Sequence, residues 1–280
     1  MPEPTTTHPE QTLRSLWAAV RIFLRNLKGH AHEPESPYQQ FILAADDVCL
    51  HVGASDGRHS YLMKKYAPRA TIHAFEPARY NVRVFKRLVA LHGLKDVHIH
   101  GKALGDKPGE FNLVTPIKTN GHVGRSFAFI TPDANAKRAN TGSGATISER
   151  VEVITMDDFC AANTNGRVDF IRCDIEGSEM AALKGGWNVI NKNLPNILLE
   201  IHPPLLAEHF GTTGEAVRDM ILGLGYRMFH LGDQGNIIES TELVTGPWKD
   251  YFFIHPSRAN RLPAGFFRDA LMGAPTAKAA

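Results

Sequence analysis

From residue 47 onward, short runs of β-branched and apolar residues alternate with stretches whose apolar positions recur every three or four residues. The runs predict strands at Val48–Val52, Thr71–Phe75 and Val97–Gly101, and the periodic stretches predict helices from about Arg58 to Tyr66 and from about Ala78 to His92. Asp169–Ile175 (DFIRCDI) and Asn196–His202 (NILLEIH) are nearly continuous apolar runs, the form a parallel strand takes when both faces are covered. Helices near Ser178–Lys184 and Glu215–Gly223 and late strands at Tyr226–Leu231 and Asp250–His255 complete the alternation. Strand and helix in turn over this length specify a doubly wound α/β sheet.

Two stretches interrupt the pattern. Residues 102–114 carry the turn signal Lys107-Pro108-Gly109 between short extended pieces and predict a hairpin. Residues 115–150 are rich in Gly, Ser, Thr and Asn with no clean period. A compact domain rarely carries so long an irregular loop unless it covers a site, so this segment is read as a substrate lid.

The first 36 residues follow a pattern of their own. Leu13, Leu16, Trp17, Val20, Phe23, Leu24 and Leu27 recur at helical steps and form one apolar stripe. Thr7-His8-Pro9-Glu10 has the form of a capping box, and Gly29 is a natural stop. Arg14, Arg21, Arg25 and Lys28 lie mostly off the stripe, and no acid occurs from residue 11 to 30. This is the composition of a helix that lies in a membrane interface, here through residues 8–28. The competing readings pack the stripe on the body of the protein or on a second subunit, as in a homodimer. A mitochondrial transit peptide fits less well, given Glu3 and Glu10.

Composition then divides the chain. The formal net charge is +2, but basic residues outnumber acidic ones at both ends, leaving residues 31–256 slightly acidic. A broad nucleic-acid-binding face, which needs clustered Lys and Arg, is thereby disfavoured. The expected organisation is an N-terminal helix and linker (1–36), a main domain (37–256) and a basic C-terminal tail (257–280). Three cysteines, Cys49, Cys160 and Cys173, make no disulfide framework and no metal spacing, which suits a reducing compartment. No apolar run is long enough to span a bilayer, and arginines interrupt any signal-peptide core. A cytoplasmic protein, peripheral to the inner face of a membrane, is expected.

The candidate chemistry sits at strand ends. The first strand runs into HVGASDGRHS, where Gly53 and Gly57 flank a tight turn that presents backbone N–H groups and a helix N-terminus. The spacing is G-x-x-x-G, so the dinucleotide fingerprint of a nicotinamide enzyme is not met. Glu76, in AFEP, closes the second strand, where an acid can accept from both ribose hydroxyls of an adenosine-containing cofactor. Glu76→Ala is expected to weaken cofactor binding and leave the melting of the unliganded protein nearly unchanged. The competing reading is a solvated carboxylate ahead of a helix.

HVGASDG, AFEP, DFIRCDIEGSE and PNILLEIH together resemble the motif series of the FkbM-type S-adenosylmethionine-dependent methyltransferases, over about residues 47–202. The D-x-E-G-x-E element at Asp174, Glu176, Gly177 and Glu179 is its most specific piece. The resemblance implies a class I methyltransferase (Rossmann-like) fold with a seven-stranded sheet and an antiparallel final strand. It implies S-adenosyl-L-methionine as cofactor and O-methylation of a sugar, a glycan or glycolipid precursor or another secondary-metabolite hydroxyl. His51, Gly53, Ala54, Ser55, Asp56, Gly57, Glu76 and Asp174 are the cofactor-binding candidates. The family usually has an acid where this chain has His51, which offers no negative charge to the methionine amino group. Arg172 stands where the family often has Lys.

Asp174 with Glu176, and Glu200 with His202, are each two apart on extended chain, so each pair faces one side. On neighbouring strands these four groups would converge on one cleft and serve as the catalytic acid and base groups. Glu176 has competing structural roles with Arg172 or as a helix cap, His202 as a loop histidine, and Glu179 as a first-turn helix acid. Asp174, Glu200 and His202 would also suit Mg²⁺, but no metal is assigned. His98 and His100 read as ordinary sheet residues. The rivals to a methyltransferase are a cofactor- or glycan-binding module that has lost catalysis and, further off, an NAD-dependent oxidoreductase.

Overall fold

The computed structural model describes residues 9–28, 33–117, 128–131 and 145–272. Its first elements are α1 (Pro9–Leu27), β1 (Val48–Val52), α2 (Arg58–Tyr66), β2 (Thr71–Phe75), α3 (Arg79–His92) and β3 (Val97–His100). There follow β4 (Ala103–Leu104), β5 (Gly109–Pro116), β6 (Phe129–Thr131), β7 (Thr146–Ile154), α4 (Met156–Asn163) and β8 (Phe170–Cys173). The last third holds α5 (Glu179–Gly185), α6 (Trp187–Asn193), β9 (Asn196–Ile201), α7 (Pro203–Phe210) and α8 (Gly214–Leu222). It closes with β10 (Arg227–Leu231), β11 (Ile237–Glu239), β12 (Lys249–Ile254) and α9 (Phe266–Leu271).

The main sheet runs β11-β10-β12-β9-β8-β1-β2-β3. β3, β2, β1, β8 and β9 are parallel, and β12 inserts antiparallel between β9 and β10. These seven strands match the expected sheet with its antiparallel last strand. The observed sheet has eight, because the Gly232–Asn236 turn folds β11 back onto β10 as an added edge. The central strands are apolar throughout because both faces are covered. Leu50, Ile171, Cys173 and Leu199 meet α4, α5 and α6 on one face, whereas Cys49, Phe170, Leu198 and Phe252 meet α2 and α9 on the other. All three cysteines are free and buried.

The hairpin expected at 102–114 does not form. Lys107-Pro108-Gly109 reverses the chain, but β7 returns between the two arms, pairing parallel with β4 and antiparallel with β5. The result is a second sheet of order β4-β7-β5-β6. The region read as a lid therefore contributes ordered strands at its two ends and at Phe129–Thr131, while residues 118–127 and 132–144 lie outside the described residues. The C-terminal segment also departs from a free basic tail. Residues 256–261 form a 3-10 turn and α9 follows, with Phe267 fully buried. Arg258 pairs with Asp169 at 2.8 Å and Arg261 with Asp47 at 3.0 Å, clamping the amino ends of β8 and β1.

α1 exists as predicted, but Thr7 and His8 of its capping box and its Gly29 stop lie outside the described residues. It docks along α3 through Ser15, Ala19, Ile22 and Asn26, against Val84 and Leu88. Arg87 donates to Ser15 Oγ, and Asn26 meets His92 Nε2 at 3.1 Å. Of the apolar stripe, Phe23 and Val20 are half-buried, whereas Leu13, Leu16, Trp17, Leu24 and Leu27 are exposed. No helix among the described residues is long and apolar enough to cross a membrane.

Candidate active site

β1 ends in a turn whose backbone must be left-handed three times, at Gly53 (φ 79°), Ser55 (φ 48°) and Gly57 (φ 86°). A Cβ on Gly53 would lie 1.8 Å from the Asp174 carbonyl oxygen, and one on Gly57 would lie 2.0 Å from the Phe85 ring. Only glycine therefore lets the ends of β1 and β8 approach and Phe85 of α3 pack on the turn. Contrary to the expectation of presented amides, the N–H groups of Ser55, Gly57 and Arg58 are taken up by Glu76, the Ala54 carbonyl and Asp56. The Gly53 and Ala54 amides donate to the Phe75 carbonyl at 3.0 and 2.9 Å, tying the turn to β2. Asp56 is engaged by Arg58, whose Nε donates at 2.8 Å; burial opposes its ionisation, but this pairing lowers its pKa overall.

Glu76 is a buried group and not a solvated carboxylate, with 6% of its surface exposed. Its Oε2 accepts from the Ser55 amide at 2.7 Å, and its Oε1 from the Ala78 amide at 2.8 Å and from Asn81 at 3.3 Å. Burial raises its pKa to about 7 against the pull of those three donors. The expectation that its removal would spare the unliganded protein is corrected accordingly, since two backbone amides depend on it.

β8 and β9 are parallel neighbours, and this register brings the four candidate catalytic groups together. His202 Nε2 lies 3.1 Å from Glu200 Oε2 and 3.9 Å from Glu176 Oε2. Asp174 and Glu200 are hydrogen-bonded to each other, so at least one holds a proton. Burial, then Glu200, raises the pKa of Asp174 well above the ordinary value, while burial lifts Glu200 to about 7. His202 stands just ahead of α7 as its N-cap residue, its side chain making no cap hydrogen bond, and Pro203 opens that helix. Glu176 adopts φ 54°, a left-handed conformation uncommon for a side-chain-bearing residue and frequent at functional turns. Glu179 is the first-turn acid of α5 that the sequence suggested; it is wholly buried, and its Oε1 accepts from the Gly177 amide at 2.9 Å.

Arg172 joins this cluster to residues that the sequence did not single out. Its buried guanidinium lies 2.7 Å from Glu33, 3.5 Å from Asp250 and 3.8 Å from Asp174. Burial alone would raise the Glu33 pKa, but the His59 hydrogen bond and the Arg172 charge hold it well below the usual carboxylate range. Asp250 is pushed to about 7 by burial despite Arg172. The signal for Asp250 was an acid opening the apolar run DYFFI, opposite Glu200 in the sheet. Glu33, in the linker after α1, had none. His51 occupies the register position beside Arg172, and its Nδ1 meets Ser60 Oγ at 2.7 Å. Burial, then His59 and Arg172, keeps its pKa well below the ordinary histidine value, so it is neutral. His51 thus turns toward α2, and it offers no charge to a ligand amino group.

A cavity of about 430 Å³ opens between the second sheet and α5, and none of Asp174, Glu176, Glu200 and His202 lines it. Phe111, Ile130 and Val153 form its apolar wall, with Ser178 and Lys184 opposite. The buried Ser178 Oγ has no hydrogen-bond partner among the described residues. Among those residues, no group of three or more His, Cys, Asp or Glu is arranged to hold a metal ion.

A parallel β3-β2-β1-β8-β9 sheet with an antiparallel insertion at β12, a glycine turn after β1 and an acid after β2 define a class I methyltransferase fold. Residues 51–228 match the methyltransferase FkbM domain, and the chain belongs to that family. It is similar to a protein called Methyltransferase 1 from Beauveria bassiana, 28% identical over 173 residues, covering 56% of this chain and 65% of the relative. The match thus spans just under two thirds of that relative. Among solved structures it is similar to the FkbM methyltransferase of Methylobacillus flagellatus KT, with TM-score 0.47 and 14% identity over 89% of this chain and 56% of that one. It is also similar to an S-adenosylmethionine-dependent O-methyltransferase of Thermotoga maritima, with TM-score 0.40 and 8% identity over 84% of this chain and 71% of that one.

Proposed function

We propose that this protein transfers a methyl group from S-adenosyl-L-methionine to a hydroxyl of a small-molecule or glycan acceptor. The observation that carries the reading is the meeting of Asp174, Glu176, Glu200 and His202 beside the glycine turn and Glu76. The cofactor, when bound, supplies an electrophilic methyl group on a sulfonium. The chain's own residues fit it. Gly53 and Gly57 let the turn fold tightly against β8 and α3, and Glu76 keeps an unused lone-pair position for a ribose hydroxyl.

The acceptor hydroxyl must shed a proton as it attacks, and His202 is the base. The imidazolium that forms is stabilised by Glu200 and Glu176 at the same ring nitrogen. Asp174, protonated or sharing its proton with Glu200, sets how much negative charge faces the imidazole. A base so placed contributes roughly 10²–10⁴-fold. The apolar wall of the cavity between the second sheet and α5 suits one face of a sugar ring, with Lys184 for its polar edge.

Calorimetry with S-adenosylhomocysteine and with NAD, followed by a screen for transfer of labelled methyl to extracts, tests the reading. Binding of the former alone is expected. Asp174→Asn and His202→Ala should each lower turnover more than about tenfold with a smaller effect on cofactor affinity, and EDTA should leave activity unchanged. Wild-type turnover in both variants would place the base elsewhere, and activity restored to EDTA-treated protein by Mg²⁺ would favour a metal at these groups.

A further inference from the structure

α1 is fastened to the body by one face and bare on another. Ser15 and Ala19 are fully buried against α3, with Ile22 and Asn26 nearly so. The opposite face shows Trp17 at 71% exposure, Leu27 at 62%, Leu13 at 59%, Leu24 at 50% and Leu16 at 44%. Five large apolar side chains on one helix exceed what a monomer surface ordinarily shows in one place. The stripe cannot be satisfied by the protein's own core, because the line of small and polar residues has already taken that side.

Charge identifies the occupant. At 100° per residue, Arg14, Arg21, Arg25 and Lys28 fall in a single strip along one border of the apolar face, and all four are exposed. α3, on which the helix rests, adds Arg83, the exposed Lys86 and Arg87, and no acid occurs from residue 77 to 95 or from 11 to 28. Self-association through the stripe would bring two such basic strips together with no carboxylate on the face to answer them. A surface that is apolar below and anionic at its boundary answers both features at once.

We propose that the exposed face of α1 docks onto an anionic lipid bilayer, with Trp17, Leu24 and their neighbours in the acyl boundary and the arginines among the headgroups. The inference is independent of the methyltransferase reading.

The test is sedimentation of the full chain with phosphatidylglycerol–phosphatidylcholine vesicles and with phosphatidylcholine alone. The protein should pellet with the anionic vesicles at low salt, pellet less as salt rises, and show a blue shift in tryptophan emission on binding. Trp17→Gln with Leu24→Gln should abolish sedimentation, and each of Arg21→Gln and Arg25→Gln should weaken it roughly fivefold. Since these side chains are exposed, the variants should melt as the wild type does, which separates lost docking from lost folding. Wild-type protein that stays in the supernatant with anionic vesicles at low salt overturns the proposal. So does a dimer in sedimentation velocity that Trp17→Gln with Leu24→Gln dissociates, which would give the face to a second copy.

Discussion

A carboxylate offers about four lone-pair positions, and three of those on Glu76 are taken by Ser55, Ala78 and Asn81. The side chain is first a clasp between the turn after β1 and the start of α3, and only its last position on Oε2 is left for a ligand. Glu76→Ala should therefore have two effects. Leaving buried amides unpaired costs about 1–3 kcal/mol, so the unliganded protein should melt several degrees lower in scanning calorimetry. S-adenosylhomocysteine affinity should fall at least several-fold as well, because both the hydroxyl acceptor and the turn that shapes the site are lost. A variant with weakened binding and an unchanged melting temperature would show that the clasp carries no stability. His51 illustrates the converse case at the same scale: its place in the motif suggested a ligand contact, and its environment makes it a neutral partner of Ser60.

At the scale of elements, the site depends on how closely β1 and β8 converge. Gly53→Ala would place a methyl group inside contact distance of the Asp174 carbonyl, backbone against backbone, at a φ that disfavours any side chain. The strand ends would have to part, shifting Asp174 and the turn together. The expected outcome is a drop in thermal stability larger than the roughly 1–2 kcal/mol of left-handed strain alone, with loss of S-adenosylhomocysteine binding by calorimetry. Melting within a degree of wild type would mean the turn can relax. The strands that build this junction were legible because apolar runs such as NILLEIH have one physical explanation, burial on both faces. The pairing of β8 with β9, and hence the convergence of Asp174, Glu176, Glu200 and His202, followed from residue spacing and strand adjacency. The second sheet was not legible in this way. β4 is two residues long, and whether Lys107-Pro108-Gly109 closes a hairpin depends on β7, which arrives some forty residues later. Glu33 was invisible for the same reason, since its ion pair with Arg172 spans 139 residues and no local pattern marks it. The helical period at residues 13–27 announced a helix, but it could not reveal that Ser15 and Ala19 would be the docked face.

Across the whole molecule, the site concentrates carboxyl groups where water is scarce, and this has a consequence for stability. Glu76, Glu200 and Asp250 titrate at about 7 and Glu179 at about 8, each raised chiefly by burial from ordinary values of 4.5 or 3.8. Between those values and neutrality, the folded protein holds protons that the unfolded chain has released. The stability these groups contribute is complete at low pH and is lost as pH rises through 7 to 8. Histidines act in the opposite sense. Burial lowers His59, His73 and His100 to about 4 and His51 well below its ordinary 6.5, so the unfolded chain takes up protons first and stability falls as pH drops below 6.5. The two trends offset each other in the acid range, and the histidine effect dies away over the pH unit above 6.5. Beyond it the carboxyl groups dominate, joined toward pH 8.5 in the same sense by Cys49, Cys160 and Cys173, whose pKa values burial raises. The unliganded protein should therefore melt several degrees lower at about pH 8.5 than at about pH 6.5, since each group contributes on the order of 1 kcal/mol per pH unit while it titrates. Glu179→Gln keeps an acceptor for the Gly177 amide and cannot ionise, so it should flatten the part of the decline that lies above pH 7. Scanning calorimetry of both proteins across this range checks the account, and a wild-type melting temperature that rises from neutral to alkaline pH would show that these carboxyl groups are already ionised and paired in the fold.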